Sequence, residues 1–138
     1  MSWTLAEYEG EDGGAFVVRA RALPAADERS RYPVAVWLSW PWGPIASEAE
    51  EDAIVDEMIR FENALHAAGE AGGWSMLVAV VTTGAAREWL FHAASGQEFV
   101  GELNGIVADE GWPALDVRVF DDPSWKAARE LSPRGRLH

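Results

Sequence analysis

The stretch whose reading decides the fold is VVTTGAAREWLFHA, residues 80–93. A run of β-formers leads into Thr82, Thr83 and Gly84. The segment after the turn sets Arg87, Trp89 and Phe91 on one side and Glu88, Leu90 and His92 on the other. Two such runs about a short glycine-bearing turn form a β-hairpin. Gly84 is expected to supply a positive φ at the connection. The strands are expected over 74–83 and 87–94.

On the N-terminal side, VAVWLSW at 34–40 alternates as a strand, and Pro41 and Pro44 stop it because proline fixes φ and cannot donate to a central ladder. Ser47 with Glu50 three residues on carries a capping-box signature. Ile54, Met58, Phe61, Leu65 and Ala68 then recur at helical spacing, closing near Gly69. On the C-terminal side, Ser95 and Glu98 open a second helix with Phe99, Leu103, Ile106 and Val107 inward, ending near Gly111. Its Gly101 and Gly105 are expected to let it lie close on a sheet. A strand at 115–120 follows, and Asp122-Pro123 is expected to cap and start a short helix carrying Trp125.

From residue 34 onward the order is β-α-β-β-α-β, which predicts an α+β, ferredoxin-like sandwich with both helices on one sheet face. Strands at 3–8 and 15–23 about the turn-rich GEDGG at 10–14 make an added N-terminal hairpin, joined by a polar link at 24–33. The chain is therefore expected to be a single domain, 1–138: a hairpin extension (1–23), a core (34–121) and a terminal helix and tail (122–138). Leu115, Val117 and Val119 should face the helices. The other face should collect members such as Trp37 or Trp89 with Arg118; alternation alone does not say which face Arg87, Trp89 and Phe91 take and which Glu88, Leu90 and His92.

Composition narrows the function classes. A 49% hydrophobic content is too high for a disordered chain, and charges interrupt every apolar run before it reaches membrane-spanning length. The polar, acidic opening does not read as a signal peptide, so the expected setting is cytoplasmic with no membrane contact. With no cysteine there is no disulfide, thiolate metal site or cysteine nucleophile. A net charge of −12 argues against direct nucleic-acid binding, whose non-specific part depends on cationic contacts to phosphate. The charge is uneven: Glu48, Glu50, Glu51, Asp52, Asp56 and Glu57 crowd one segment, read as a solvated helix face, while Lys126, Arg129, Arg134 and Arg136 lie in the tail.

Two constellations remain. Glu62, Thr83, Arg87, Glu88 and His92, with Thr82, offer carboxylates, a guanidinium and an imidazole that could serve acid–base chemistry if they converged. The structural reading is that Arg87 pairs with a carboxylate such as Glu62, or across strands with its neighbours, while the threonines satisfy the turn. The three histidines, at 66, 92 and 138, show no metal-ligand spacing, and no nucleophile elbow or phosphate loop occurs, so neither a metal nor another cofactor is expected. Eight tryptophans are too many for the deep core of a small domain, and tryptophan is enriched at interfaces. Trp37, Trp40, Trp42 and Trp89 are the candidates for partner binding, with the loop Trp40-Pro41-Trp42-Gly43-Pro44 beside the acidic helix start.

Taken in order, Trp3 and Tyr8, YPVAV, Gly43-Pro44, MIRFENAL, VVTTGAAREWLFH and DPSW resemble a bacterial domain-of-unknown-function family, numbered six-ninety-five. Asn63, Ala85 and His92 depart from that family's usual residues. The family is in turn similar to the B-type regulators of ribonuclease E activity, small acidic proteins that inhibit an endoribonuclease without catalytic chemistry. The resemblance implies a regulatory protein with a protein partner. The leading expectation is a non-enzymatic interaction domain that docks a partner or a second copy. The alternative is a small-molecule binder or hydrolase using Arg87, Glu88 and His92.

Overall fold

The computed structural model describes residues 3–9, 15–113 and 115–131. Strands β1 (Trp3–Glu9), β2 (Ala15–Arg21), β3 (Val34–Pro41), β4 (Ser75–Thr82), β5 (Ala86–Ala93) and β6 (Asp116–Asp121) form one antiparallel sheet in the order β1-β2-β4-β5-β3-β6. Helices α2 (Glu48–Gly72) and α3 (Gly96–Glu110) cover one face. Two short helices, α1 (Ala26–Arg29) and α4 (Lys126–Leu131), complete the described elements. The class is α+β. The N-terminal hairpin does more than append itself to the core, because residues 17–20 of β2 pair with 79–82 of β4 and carry the sheet on without a break. The polar link at 24–33 holds the one-turn helix α1. The GEDGG turn and the basic positions Arg134 and Arg136, with His138, lie outside the described residues.

The quoted stretch is a hairpin, with Val80 opposite Trp89 and Thr82 opposite Arg87. Gly84 does not make its turn. Among the described residues the glycines with positive φ are Gly43, Gly73 and Gly111, and Gly84 is not one of them. Thr83 organises the turn instead: its Oγ1 accepts the N–H groups of Ala85 and Ala86, and its own N–H donates to the Ala86 carbonyl at 2.9 Å. A threonine hydroxyl that satisfies the turn's backbone removes the need for a left-handed residue.

Both long helices start as expected, with the Ser47 and Ser95 hydroxyls accepting the N–H groups of Glu50 and Glu98. They end on the left-handed glycines Gly73 and Gly111. α2 runs past Gly69, which is buried where an added Cβ would meet the Ser75 hydroxyl. Gly101 and Gly105 have open space around them, so they do not bring α3 close to the sheet. No helix among the described residues is long and apolar enough to cross a membrane.

The core has two layers. Val36, Leu38, Leu77, Val80, Trp89 and Phe91 meet Met58, Phe61 and Leu65 of α2 and Phe99 and Leu103 of α3. On the other face Val18, Ala35, Met76, Val78 and Leu90 lie under Trp125 and Ala128. Trp37 sits on this second face opposite Arg118, as expected. Trp89 does not. It lies beneath α2 with no exposed surface, since pairing with Leu38 and Val80 fixes it on the helix side. Val117 and Val119 lie on the helix side opposite Leu38 and Val36, yet stay 36% and 44% exposed because β6 is an edge strand beyond the helices' cover. α4 starts at Lys126, later than expected. Pro123 and Trp125 precede it, and the Asp122 carboxylate accepts the N–H groups of Lys126 and Ala127.

Candidate functional site

Strand register lays two rows of side chains across the helix-facing side of the sheet. One runs Leu5, Arg19, Val80, Trp89, Leu38, and the next runs Val17, Thr82, Arg87, Trp40. Over the first row, α2 lowers Glu62, which is 8% exposed. One carboxylate oxygen accepts from Arg19 at 2.6 Å and the other from the Trp89 indole at 2.9 Å. A carboxylate this deep is tolerable because both oxygens are engaged. The cation that ties α2 to the sheet is therefore Arg19, not Arg87 as the sequence suggested. Arg19 stands in the same row as Trp89, whereas Arg87 stands one row away. Arg19 shares its side of the strand with Val17 and Arg21, the less apolar of the two sides, so alternation gave no signal for it.

Arg87 has no ion-pair partner among the described residues. Its guanidinium lies 5.8 Å from the Trp42 ring centre, and its Nε is buried without a hydrogen-bond partner. Burial holds its pKa below the ordinary value, Glu62 pulls upward, and Arg19 adds to the lowering. A groove of about 420 Å³ opens here, with Arg19, Glu62, Asn63, Thr82 and Arg87 among the residues along it. Leu5 and Ile59, 72% and 43% exposed, also line it.

Trp42 lies beside Arg87. Its indole donates to the Thr83 carbonyl at 2.8 Å and its backbone N–H to the Ala85 carbonyl at 3.1 Å. Beyond it a second cleft of about 320 Å³ lies between the loop and the hairpin turn, lined by Trp42, Ile45, Glu51 and Thr83. The four tryptophans proposed for partner binding do not form one surface. Trp89 is buried, Trp40 packs edge-on to Phe61 at 5.7 Å, Trp42 faces the loop cleft, and Trp37 is across the sheet.

The acid–base set divides in the same way. Alternation along β5 puts Arg87 on the helix side and Glu88 and His92 on the other, where their partners are Val81 and Met76. Arg87, Glu88 and His92 do not converge. His92 is fully buried; its ring stacks on Trp125 at 3.9 Å, Nδ1 donates to the Tyr32 carbonyl at 2.8 Å, and Nε2 stands 3.6 Å from Asp122. Burial pushes its pKa below the usual value, against the Tyr32 bond and the Asp122 charge. Among the described residues no three of His, Cys, Asp or Glu are placed to hold a metal ion.

Comparison with known families returns one described as a family of unknown function (DUF695), whose model matches residues 2–131. No curated protein matches the chain. No solved structure does either.

Proposed function

The chain belongs to DUF695, a family of unknown function, and we propose that this member is a non-enzymatic interaction domain that docks a basic protein segment on the loop at 41–46 and the start of α2. The observation that carries this reading is a fixed loop that stays open to solvent. Trp42 is held by two hydrogen bonds to the hairpin turn, and the Ala46 N–H donates to Glu50 at 2.9 Å. Pro41, Gly43, Pro44 and Ile45 remain exposed. A loop already in one conformation loses little entropy on binding. Beside it Glu48, Glu50, Glu51 and Asp52 are all exposed at the N-terminal end of α2 and offer charge complementarity to a cationic partner.

The order β4-β5-β3-β6, with α2 and α3 on one face, supports reading that part of the sheet as ferredoxin-like with the hairpin β1–β2 added at its edge. That reading fits the resemblance to the B-type regulators of ribonuclease E that the sequence motifs suggest, and we take a regulatory role through protein binding as the function. Self-association is the second reading. It is favoured by the apolar edge strand β6, where Val117, Val119 and Phe120 are exposed. A hydrolase built on Arg87, Glu88 and His92 is not proposed, because those side chains lie on two faces.

The test is capture of a stoichiometric partner by tagged protein, with light scattering on the purified chain. The variants are Ile45→Ser and Glu51→Lys, both at exposed positions. Loss of a basic partner with either variant supports the docking loop. Capture unchanged by both removes it, and a dimer dispersed by Val119→Lys assigns the interaction to β6.

A further inference from the structure

We propose that the groove between α2 and the β1–β2–β4–β5 side of the sheet binds a small amphipathic carboxylate, with Arg87 receiving the carboxylate and Leu5 and Ile59 covering its apolar body. This site shares Trp42 with the docking loop but does not rest on the docking reading. Charge supplies the first argument. Two guanidiniums, Arg19 and Arg87, face the groove with one carboxylate, Glu62. Both Glu62 oxygens are taken, by Arg19 and by the Trp89 indole. One cation is left over, inside a chain whose net charge is −12.

Geometry supplies the second. Arg87 keeps its Nε buried and unbonded. With Nε closed off, the two Nη groups are the edge left for the groove, and that edge can pair with the two oxygens of a planar carboxylate. The Trp42 ring lies on one side of that guanidinium, 5.8 Å from its central carbon. Glu62 decides the charge of the guest: a dianion would meet its carboxylate across the groove, whereas a monoanion balances the spare guanidinium. Thr82 and Asn63 stand along the groove as further polar partners.

The third argument is the rim. Leu5 and Ile59 are among the most exposed large apolar side chains of the described residues, and both line this groove. The groove's volume of about 420 Å³ lies in the range of small-molecule sites, which suits a medium-length or aromatic acid.

The experiment titrates the full chain with sodium octanoate, read by tryptophan fluorescence and by amide shifts at residues 17–19 and 82–87. Saturable binding is expected, with octan-1-ol and acetate each weaker by about tenfold or more, since one lacks the charge and the other the apolar body. Arg87→Gln should weaken octanoate by about tenfold or more for the loss of charge-assisted bonds. Ile59→Ser, at a solvent-exposed position where folding is not at stake, should weaken it by roughly threefold for lost apolar cover. Absence of saturable octanoate binding overturns the proposal, as does octanol binding equally well. Should Arg87→Gln fail to fold, undiminished binding by Ile59→Ser overturns it as well. Octyl phosphate binding more tightly than octanoate would overturn the single-charge assignment.

Discussion

Glu62 is the residue on which most of the helix-side geometry turns. Removing it strips Arg19 and the Trp89 indole of their acceptor together and leaves two guanidiniums facing each other without a counter-charge. Glu62→Ala is therefore expected to lower stability by about 2–4 kcal/mol. The lower half of that range is favoured because Arg19 is 43% exposed and its charge is partly screened. Glu62→Gln keeps an acceptor for Trp89 and should cost about half as much, and urea midpoints of the two variants measure the difference. His92 gives a pH signature. Its pKa is lower folded than unfolded, so the unfolded chain takes up the proton first as pH falls. Its contribution is intact above the unfolded value of about 6.5, is lost as pH drops from there toward the folded pKa, and then levels off. Urea midpoints at pH 7.5 and 5.5 should fall on acidification more for the wild type than for His92→Gln. An equal fall in both would leave His92 out of the account.

At the scale of the element, the glycines separate into distinct roles, and substitution reads them apart. Gly101→Ala in α3 meets open space and should stabilise by about 0.5–1 kcal/mol, since alanine loses less backbone freedom in a helix. Gly69→Ala in α2 drives a methyl into Ser75 and should cost about 1–3 kcal/mol. Thermal melts of the two variants should therefore move in opposite directions. The helices, their caps and the strands were legible in the sequence because each rests on local pattern: Ser47 and Ser95 before apolar spacing, alternation in VAVWLSW. The facing of Trp89 was not legible, because alternation gives two sides of a strand and only pairing with Leu38 and Val80 says which is which. The same ambiguity joined Arg87 to Glu88 and His92, which the sheet separates. Arg19 stayed out of the expected site because its carboxylate lies 43 residues away on another element. Gly84 was misread because a threonine hydroxyl performs in this turn what a left-handed glycine performs in others.

Across the whole molecule, a net charge of −12 on 138 residues repels itself. Added salt screens that repulsion at the cost of a few exposed pairs worth little. The melting temperature is therefore expected to rise between 20 and 300 mM sodium chloride, as calorimetry would register; a fall would mean that the Arg19–Glu62 contact outweighs the general repulsion. The sheet order β1-β2-β4-β5-β3-β6 also sets a timetable. As the chain leaves the ribosome, β3 appears with neither neighbour yet made, and β2 has β1 beside it but not β4. Helix α2 and strand β4 must follow before β5 arrives, and it is β5 that stands between β4 and β3 and joins the two halves. Until residues 86–93 have been synthesised, VAVWLSW is an unpaired apolar strand, the kind of segment that chaperones recognise. Completion of the hairpin at 80–93 is thus the event that ends the exposure, and folding governed by such distant pairings belongs to milliseconds or longer rather than microseconds.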